Sequence, residues 1–187
     1  MSQTGKKILV IVSVILLLAL ILIYGVRIQD IILKNIYPLE FQEYVYSYAE
    51  EKQVDPLLVF AIIKAESNFK KNAVSRSDAV GLMQLLPETA QEISEKEGYE
   101  YIVKESLYDP EINIKIGIAY FKELLDRYHN IPVALAAYNA GMGNVDKWIA
   151  NGTIKEDGSD IEKIPWKETN KYVRKIVRDY KIYQKLY

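Results

Sequence analysis

The chain has 187 residues, with 24 basic and 25 acidic side chains, one histidine and no cysteine. Without cysteine it has no disulfide, no thiol for lipidation and no Cys/His nucleophile, and a single histidine argues against a metal site. We therefore expect neither metal nor cofactor. The near-neutral charge also argues against a nucleic-acid partner, which would require a basic face.

An uncharged stretch rich in Leu, Ile and Val covers residues 8–26, after Lys6 and Lys7 and before Arg27. As a helix it spans about 28 Å, close to the thickness of a bilayer's hydrocarbon core. More basic residues precede it than follow it, which places residues 1–7 in the cytoplasm. A cleaved signal peptide is the alternative, but its apolar region is normally shorter and no small-residue cleavage pattern follows. We predict a single-pass anchor in the cytoplasmic membrane, with the rest of the chain on the extracytoplasmic side.

The part of the chain after Arg27 suffices for one hydrophobic core and is too short for two. It carries 21 basic and 25 acidic residues. We expect a short linker at residues 27–37 and one domain at residues 38–187.

Helix signals follow one another along this domain. Prolines stand at the start of several segments in which apolar residues recur at helical spacing. Strand signals are weak, so the predicted fold class is mainly α, with at most a small β-sheet near residues 80–85. The predicted helices cover roughly residues 38–52, 56–67, 87–97, 110–128, 132–140 and 169–187.

Glu66 closes an apolar run that follows Asp55 and Pro56, a pair typical of a helix start. On that helix Leu58, Ile62 and Glu66 share one face. Burial and the negative end of the helix dipole both disfavour the carboxylate and raise its pKa. A raised pKa suits an acid that must donate a proton near neutral pH. The alternative is a carboxylate at a frayed helix end in water.

Four short segments carry a further signal: ESNF at 66–69, GLMQL at 81–85, AYNAG at 137–141 and ETNKYV at 168–173. They occur in the order and spacing of one known family, the lytic transglycosylase domain. A further segment, DPEINI at residues 109–114, is similar to the central helix of that domain. The chain thus resembles the soluble lytic transglycosylases over about residues 38–187, which implies an α+β, lysozyme-like catalytic domain.

The resemblance implies cleavage of peptidoglycan at the β-1,4 bond between N-acetylmuramic acid and N-acetylglucosamine. The 6-hydroxyl of muramic acid would attack its own anomeric carbon and leave a 1,6-anhydro end. Glu66 matches the single catalytic acid/base. Ordinary glycosidases use two carboxylates, but an internal nucleophile removes the need to activate water. One protonated carboxyl then suffices.

The same resemblance implies a set of substrate-binding side chains. Ser75 would hold the substrate N-acetyl group, with Ser77 as the alternative. The Tyr138 phenol would hydrogen-bond the Glu66 carboxyl, and the Met83 thioether would pack on a sugar face. An ordinary core position is the alternative for Met83. The full predicted set is Ser75, Met83, Gln84, Tyr138, Asn139, Glu168 and Tyr172.

Two other functions are compatible with the sequence. A hydrolytic muramidase would favour a second carboxylate opposite Glu66, and Asp78 is the candidate in the adjoining loop. A non-catalytic, peptidoglycan-binding scaffold would need no active carboxyl at all.

Overall fold

The computed structural model describes residues 3–100 and 102–187, and within the first helix it describes only some of the side chains. The chain divides into a small N-terminal unit that ends at Pro38 and a larger unit that begins at Leu39. The first unit is almost entirely one helix, whereas the second contains several.

The N-terminal unit consists of helix α1, Gln3–Ile36. The helix continues through most of residues 27–37, which the sequence predicts as a linker. This segment contains neither glycine nor proline, so nothing in it interrupts a helix. The helix ends just before Pro38, because a proline disfavours helical backbone angles in the residue that precedes it.

The predicted membrane anchor, residues 8–26, falls mostly on side chains outside those that the structure describes. Over the described residues, no helix combines the length and the apolar character that crossing a membrane requires. The anchor therefore stays a prediction from the sequence.

The described part of the larger unit is helical, which confirms the mainly α class. It adds two short 3-10 turns, Lys104–Tyr108 and Ile161–Lys163. Isolated bridges join Val80 to Val74 and to Leu85 where the sequence predicts a small sheet, and the described residues contain no strand. The helices are α2 (Gln42–Glu51), α3 (Pro56–Glu66), α4 (Pro87–Glu97), α5 (Pro110–Tyr128), α6 (Ile131–Ala140), α7 (Met142–Ala150) and α8 (Lys167–Leu186).

Asp-Pro pairs fix the starts of two helices, α3 and α5. The Asp55 carboxylate accepts a hydrogen bond of 2.8 Å from the backbone N–H of Leu57. The Asp109 carboxylate accepts one of 2.9 Å from the N–H of Glu111. The proline that follows each cap has a φ angle suited to the first helical turn. Both helix starts agree with the prediction from the sequence.

Three boundaries differ from the prediction. Helix α2 begins four residues after Pro38, because Phe41 adopts a left-handed backbone with φ 58°. Helix α7 was not predicted and follows directly on Gly141, whose φ of 83° separates it from α6. Helix α8 begins at Lys167, two residues before the predicted start at Thr169.

Helix α3 is a buried helix with no exposed residue. Its residues 58–63 are all buried, so the helix is surrounded by apolar side chains on every side rather than on one face. Helix α5 packs against α2, α4 and α6 around this core. The packing fixes the C-terminal end of α3, where Glu66 lies.

Candidate active site

Glu66 is the last residue of α3, and Ser67 caps the helix. The Ser67 hydroxyl is buried and lies 2.8 Å from the carbonyl oxygen of Leu82, to which it donates. This bond joins the end of α3 to the loop between α3 and α4. The loop and Glu66 therefore border the same space.

The Glu66 carboxyl is held by a residue far away in the sequence. The Tyr172 hydroxyl, on α8, donates a hydrogen bond of 2.5 Å to Glu66 Oε1. Burial raises the pKa of Glu66 to about 7, and the Tyr172 bond and the nearby positive charge of Lys175 oppose that rise. The direction agrees with the sequence-based expectation. A pKa this high lets Glu66 hold a proton near neutral pH.

Tyr138 has a different partner from the one predicted. Its hydroxyl donates to the carbonyl oxygen of Met83 at 2.7 Å, and Tyr172 takes the predicted place on Glu66. The Tyr138 ring packs against Tyr120 and Phe121, with centroids 5.1 and 6.1 Å away. Burial keeps the pKa of Tyr138 well above its usual value, so the phenol remains a donor. It fixes the loop beside Glu66 rather than Glu66 itself.

The prediction that Met83 lies on a sugar face is wrong. Its side chain is fully buried. A Cβ atom built on Gly117 of α5 would lie 2.4 Å from the Met83 sulfur, so the thioether fills the space that this glycine leaves open. The backbone carbonyl of Met83 accepts the Tyr138 hydrogen bond, and its side chain belongs to the core.

A buried asparagine, Asn113 of α5, fixes the same loop. Its side-chain oxygen accepts from the N–H of Met83 at 2.8 Å. Its amide nitrogen donates to the carbonyls of Val80 and Leu107, both at 2.9 Å. Gly81 lies against this amide with φ 82°, where any side chain would clash. The sequence marks the DPEINI segment but does not indicate this role of its asparagine.

Gln84 and Ser75 use part of their hydrogen-bonding capacity to shape the loop. The Gln84 amide nitrogen donates to the carbonyls of Gly81 and Ala73, at 2.9 and 3.2 Å. The Ser75 oxygen accepts from the backbone N–H groups of Ser77 and Ala79, at 3.2 and 3.0 Å. The Gln84 oxygen and the Ser75 hydroxyl hydrogen have no partner among the described residues. Both remain available to a ligand.

The opposite wall comes from the end of α6 and the start of α8. Asn139 accepts a hydrogen bond of 2.7 Å from the hydroxyl of Thr169, a buried residue in the first turn of α8. This bond connects the two predicted motifs directly. Glu168 is exposed and also faces the cavity.

These walls enclose a cavity of about 540 Å³. It brings together Glu66, Ser75, Gln84, Tyr138, Asn139 and Glu168 from the predicted set, while Tyr172 contacts it through Glu66. The alternative Ser77 also lines it. Sequence reasoning missed Ala79, Leu86, Trp166, Lys167 and Thr169. An aromatic residue two positions before the ETNKYV segment was the available signal for Trp166.

Asp78, the second carboxylate that a muramidase would favour, does not line the cavity. It is exposed on the loop and forms an ion pair with Lys104. Glu168 is the other carboxylate on the cavity wall. Over the part of the chain that the structure describes, no group of three His, Asp or Glu side chains could hold a metal ion.

The chain is similar to known peptidoglycan enzymes in sequence and in fold. The soluble lytic murein transglycosylase of Escherichia coli K12 is 32% identical over 148 residues, 78% of this chain and 23% of the relative. The membrane-bound lytic murein transglycosylase C of Edwardsiella ictaluri is 32% identical over 169 residues, 79% of this chain and 47% of the relative.

A solved structure of a lytic transglycosylase is also similar to this chain, in fold as well as in sequence. An inactive glutamate-to-glutamine mutant of lytic transglycosylase Slt from Pseudomonas aeruginosa superposes with a TM-score of 0.71 and 34% identity. The match covers 80% of this chain and 25% of the other. The chain thus spans about a quarter of the length of the soluble relatives it matches. The family model described as the transglycosylase SLT domain matches residues 43–161, more than half of the chain. The chain belongs to the transglycosylase SLT domain family.

Proposed function

We propose that this chain is a peptidoglycan lytic transglycosylase. It cleaves the β-1,4 bond between N-acetylmuramic acid and N-acetylglucosamine and leaves a 1,6-anhydromuramic acid end. The observation that carries the proposal is Glu66, a carboxyl with a pKa of about 7 on the wall of a 540 Å³ cavity. A general acid needs a pKa near the working pH and a place within hydrogen-bond distance of its target. The relatives, which are named as lytic murein transglycosylases, support the same activity.

The reaction needs only one carboxyl. Protonated Glu66 donates its proton to the glycosidic oxygen as the bond from that oxygen to C1 of the muramic acid breaks. The 6-hydroxyl oxygen of the same sugar then bonds to C1, and its proton passes to the Glu66 carboxylate. The carboxyl is regenerated and no water is consumed. A pKa near 7 allows both proton transfers at neutral pH.

The other polar groups of the cavity bind and orient the sugar. Tyr172 fixes the rotamer of Glu66, and its own pKa lies well above the usual value, so it donates throughout the cycle. The free oxygen of Gln84 and the hydroxyl hydrogen of Ser75 match the hydroxyl and N-acetyl groups of the substrate. Asn139 and Glu168 line the opposite wall. Such prepositioned groups lower the barrier by fixing the reacting atoms in place.

The products distinguish this function from its rivals. The full chain would be incubated with purified peptidoglycan, and the released muropeptides analysed by mass spectrometry. We expect 1,6-anhydro ends, which are lighter by one water than reducing ends. Reducing ends alone would identify a hydrolytic muramidase and overturn the proposal. If the parent chain and Glu66→Gln both bound glycan and neither released product, the chain would be a scaffold.

We further propose that residues 8–26 anchor the chain in the cytoplasmic membrane, with residues 1–7 in the cytoplasm. The uncharged sequence and the preceding lysines support this, and relatives named as membrane-bound transglycosylases are consistent with it. In cells that express the full chain, alkaline carbonate should leave it in the membrane fraction. External protease should digest the domain in spheroplasts. Release by carbonate, or protection from protease, would contradict the anchor or its orientation.

A further inference from the structure

Helix capping does not explain the tryptophan at position 166. It precedes α8 at the capping position, makes no side-chain capping bond and leaves 48% of its surface exposed. Tryptophan is not among the residues that stabilise a helix N-terminus. The exposed indole instead forms part of the cavity wall that Glu66 also lines.

The Trp166 ring is nevertheless held in place. Trp148 of α7, which is only 7% exposed, contacts it edge to face, with ring centroids 5.4 Å apart and planes at 80°. An edge-to-face contact supports the orientation of a ring and leaves one of its faces open. A braced aromatic ring that is 48% exposed at a cavity offers a surface for the apolar face of a ligand ring.

The next residue, Lys167, also has no structural explanation. It is exposed at the cavity, where it forms no ion pair or hydrogen bond with any described residue. It is also the first residue of α8, and a positive charge at a helix N-terminus is disfavoured by the helix dipole. An anionic group of a ligand would offset that cost.

We propose that Trp166 and Lys167 form a subsite for a peptide-bearing sugar of the glycan strand. This inference rests on the proposed function. The indole face stacks on the pyranose ring. The Lys167 ammonium pairs with a carboxylate of the peptide attached to that sugar. The subsite therefore favours peptide-substituted peptidoglycan over the same glycan stripped of its peptides.

Binding can be tested without turnover in the full-length Glu66→Gln variant. The chain has two tryptophans, of which Trp166 is the exposed one, so iodide should quench mainly its fluorescence. We expect a peptide-bearing glycan tetrasaccharide to protect the indole from iodide. In Glu66→Gln/Trp166→Phe the protectable signal should be lost while the glycan still binds, as measured by calorimetry. Glycan binding with no protection of Trp166 would overturn the subsite.

Kinetics test the two side chains separately. Trp166→Ala should raise KM about tenfold with little change in kcat, and Trp166→Phe should restore most of the loss. Lys167→Gln should lower the preference for peptide-bearing over stripped glycan by about threefold, as expected for an exposed ion pair. Lys171→Gln, on the exposed side of the same helix and outside the cavity lining, is the matched control.

The outcomes separate this subsite from the proposed function. An unchanged KM in Trp166→Ala would overturn the stacking of Trp166 on the sugar. An unchanged substrate preference in Lys167→Gln would overturn the pairing of Lys167 with the peptide. Both conclusions would hold even if anhydro products form. Protection of Trp166 by glycan, in a chain that releases no anhydro product, would retain the subsite and reject the transglycosylase. If Trp166→Ala does not fold, the iodide measurement on Glu66→Gln still decides.

Discussion

The hydroxyl of Tyr172 lies 2.5 Å from Oε1 of Glu66, although 106 positions separate the two residues in the sequence. The bond joins the end of the buried helix α3 to the first turns of α8. It also stabilises the charged form of the carboxyl, and so opposes the rise in pKa that burial causes. The pKa of Glu66, the proposed acid, is therefore a balance that single substitutions should shift in known directions.

Replacement Tyr172→Phe removes this hydrogen bond with little change in shape. The pKa of Glu66 should rise further, because burial is then less opposed. Since the acid must be protonated to react, the alkaline limb of kcat/KM should move to higher pH. The value of kcat should fall about tenfold or more because the carboxyl is no longer oriented. Tyr180→Phe is the control, since it removes a bond to Asp55 and leaves Glu66 untouched. An alkaline limb that stays in place or moves to lower pH would contradict the assignment.

Lys175 lowers the pKa of Glu66 from a distance. Its ammonium donates to the carbonyl oxygen of Ala65 at 3.3 Å, which places a positive charge at the end of α3. In Lys175→Met the pKa of Glu66 should rise and the alkaline limb should again move to higher pH, with a smaller loss of kcat than in Tyr172→Phe. A pH–rate series with Lys171→Met as control measures this. Equal shifts in the two lysine variants would show a general surface-charge effect instead.

Glu66 should also make stability depend on pH. Its pKa is about 7 in the folded chain against 4.5 for the free side chain, so folding favours the protonated form. The stabilisation that protonated Glu66 gives the folded chain is fully present below pH 4.5. It is lost as the pH rises towards 7, and the total loss in the free energy of unfolding is about 3 kcal/mol. Glu66→Gln has no carboxyl to donate a proton and should be inactive. Because it buries no charge at pH 8, it should nevertheless be more stable than the parent at that pH.

Chemical denaturation of both proteins at pH 4.5 and pH 8 checks this. The difference in the free energy of unfolding between Glu66→Gln and the parent should be larger at pH 8. Glu168→Gln, at the exposed carboxyl on the opposite cavity wall, is the control and should show no comparable gain. If Glu66→Gln gained the same free energy of unfolding at both pH values, burial would not raise the pKa of Glu66.

The predictions from sequence succeeded where the cause is local. The Asp-Pro starts of α3 and α5 depend on neighbouring residues, and the raised pKa of Glu66 follows from its place at the end of an apolar helix. The Tyr138 and Tyr172 roles could not be predicted in the same way. Both phenols lie near Glu66, and only tertiary packing decides which one bonds it.

The burial of Met83 and the place of Trp166 in the cavity could not be predicted for a related reason. A thioether serves equally well in a core or under a sugar, and the missing side chain of Gly117 is what draws Met83 inward. Trp166 stands outside the motif segments on which the family resemblance rests, and its exposure depends on its contact with Trp148 of α7. Neither fact is encoded in residue spacing.

Gly81 should be among the least replaceable residues of the domain. Its φ of 82° already disfavours any side chain, and a Cβ atom there would lie 2.2 Å from the Asn113 amide nitrogen and 2.4 Å from the Leu107 carbonyl oxygen. Gly81→Ala should therefore break the asparagine's bonds to the loop and destabilise the domain by about 3 kcal/mol or more.

Gly98→Ala is the matched control, since Gly98 also has positive φ, at 69°, but open space around it. That control should cost only about 1 kcal/mol. Urea unfolding of both variants gives the comparison, and similar losses would mean that the Asn113 contacts do not hold the loop. Because the loop carries Gln84, the folded fraction of Gly81→Ala should also show reduced kcat/KM, whereas Gly98→Ala should retain the parent value.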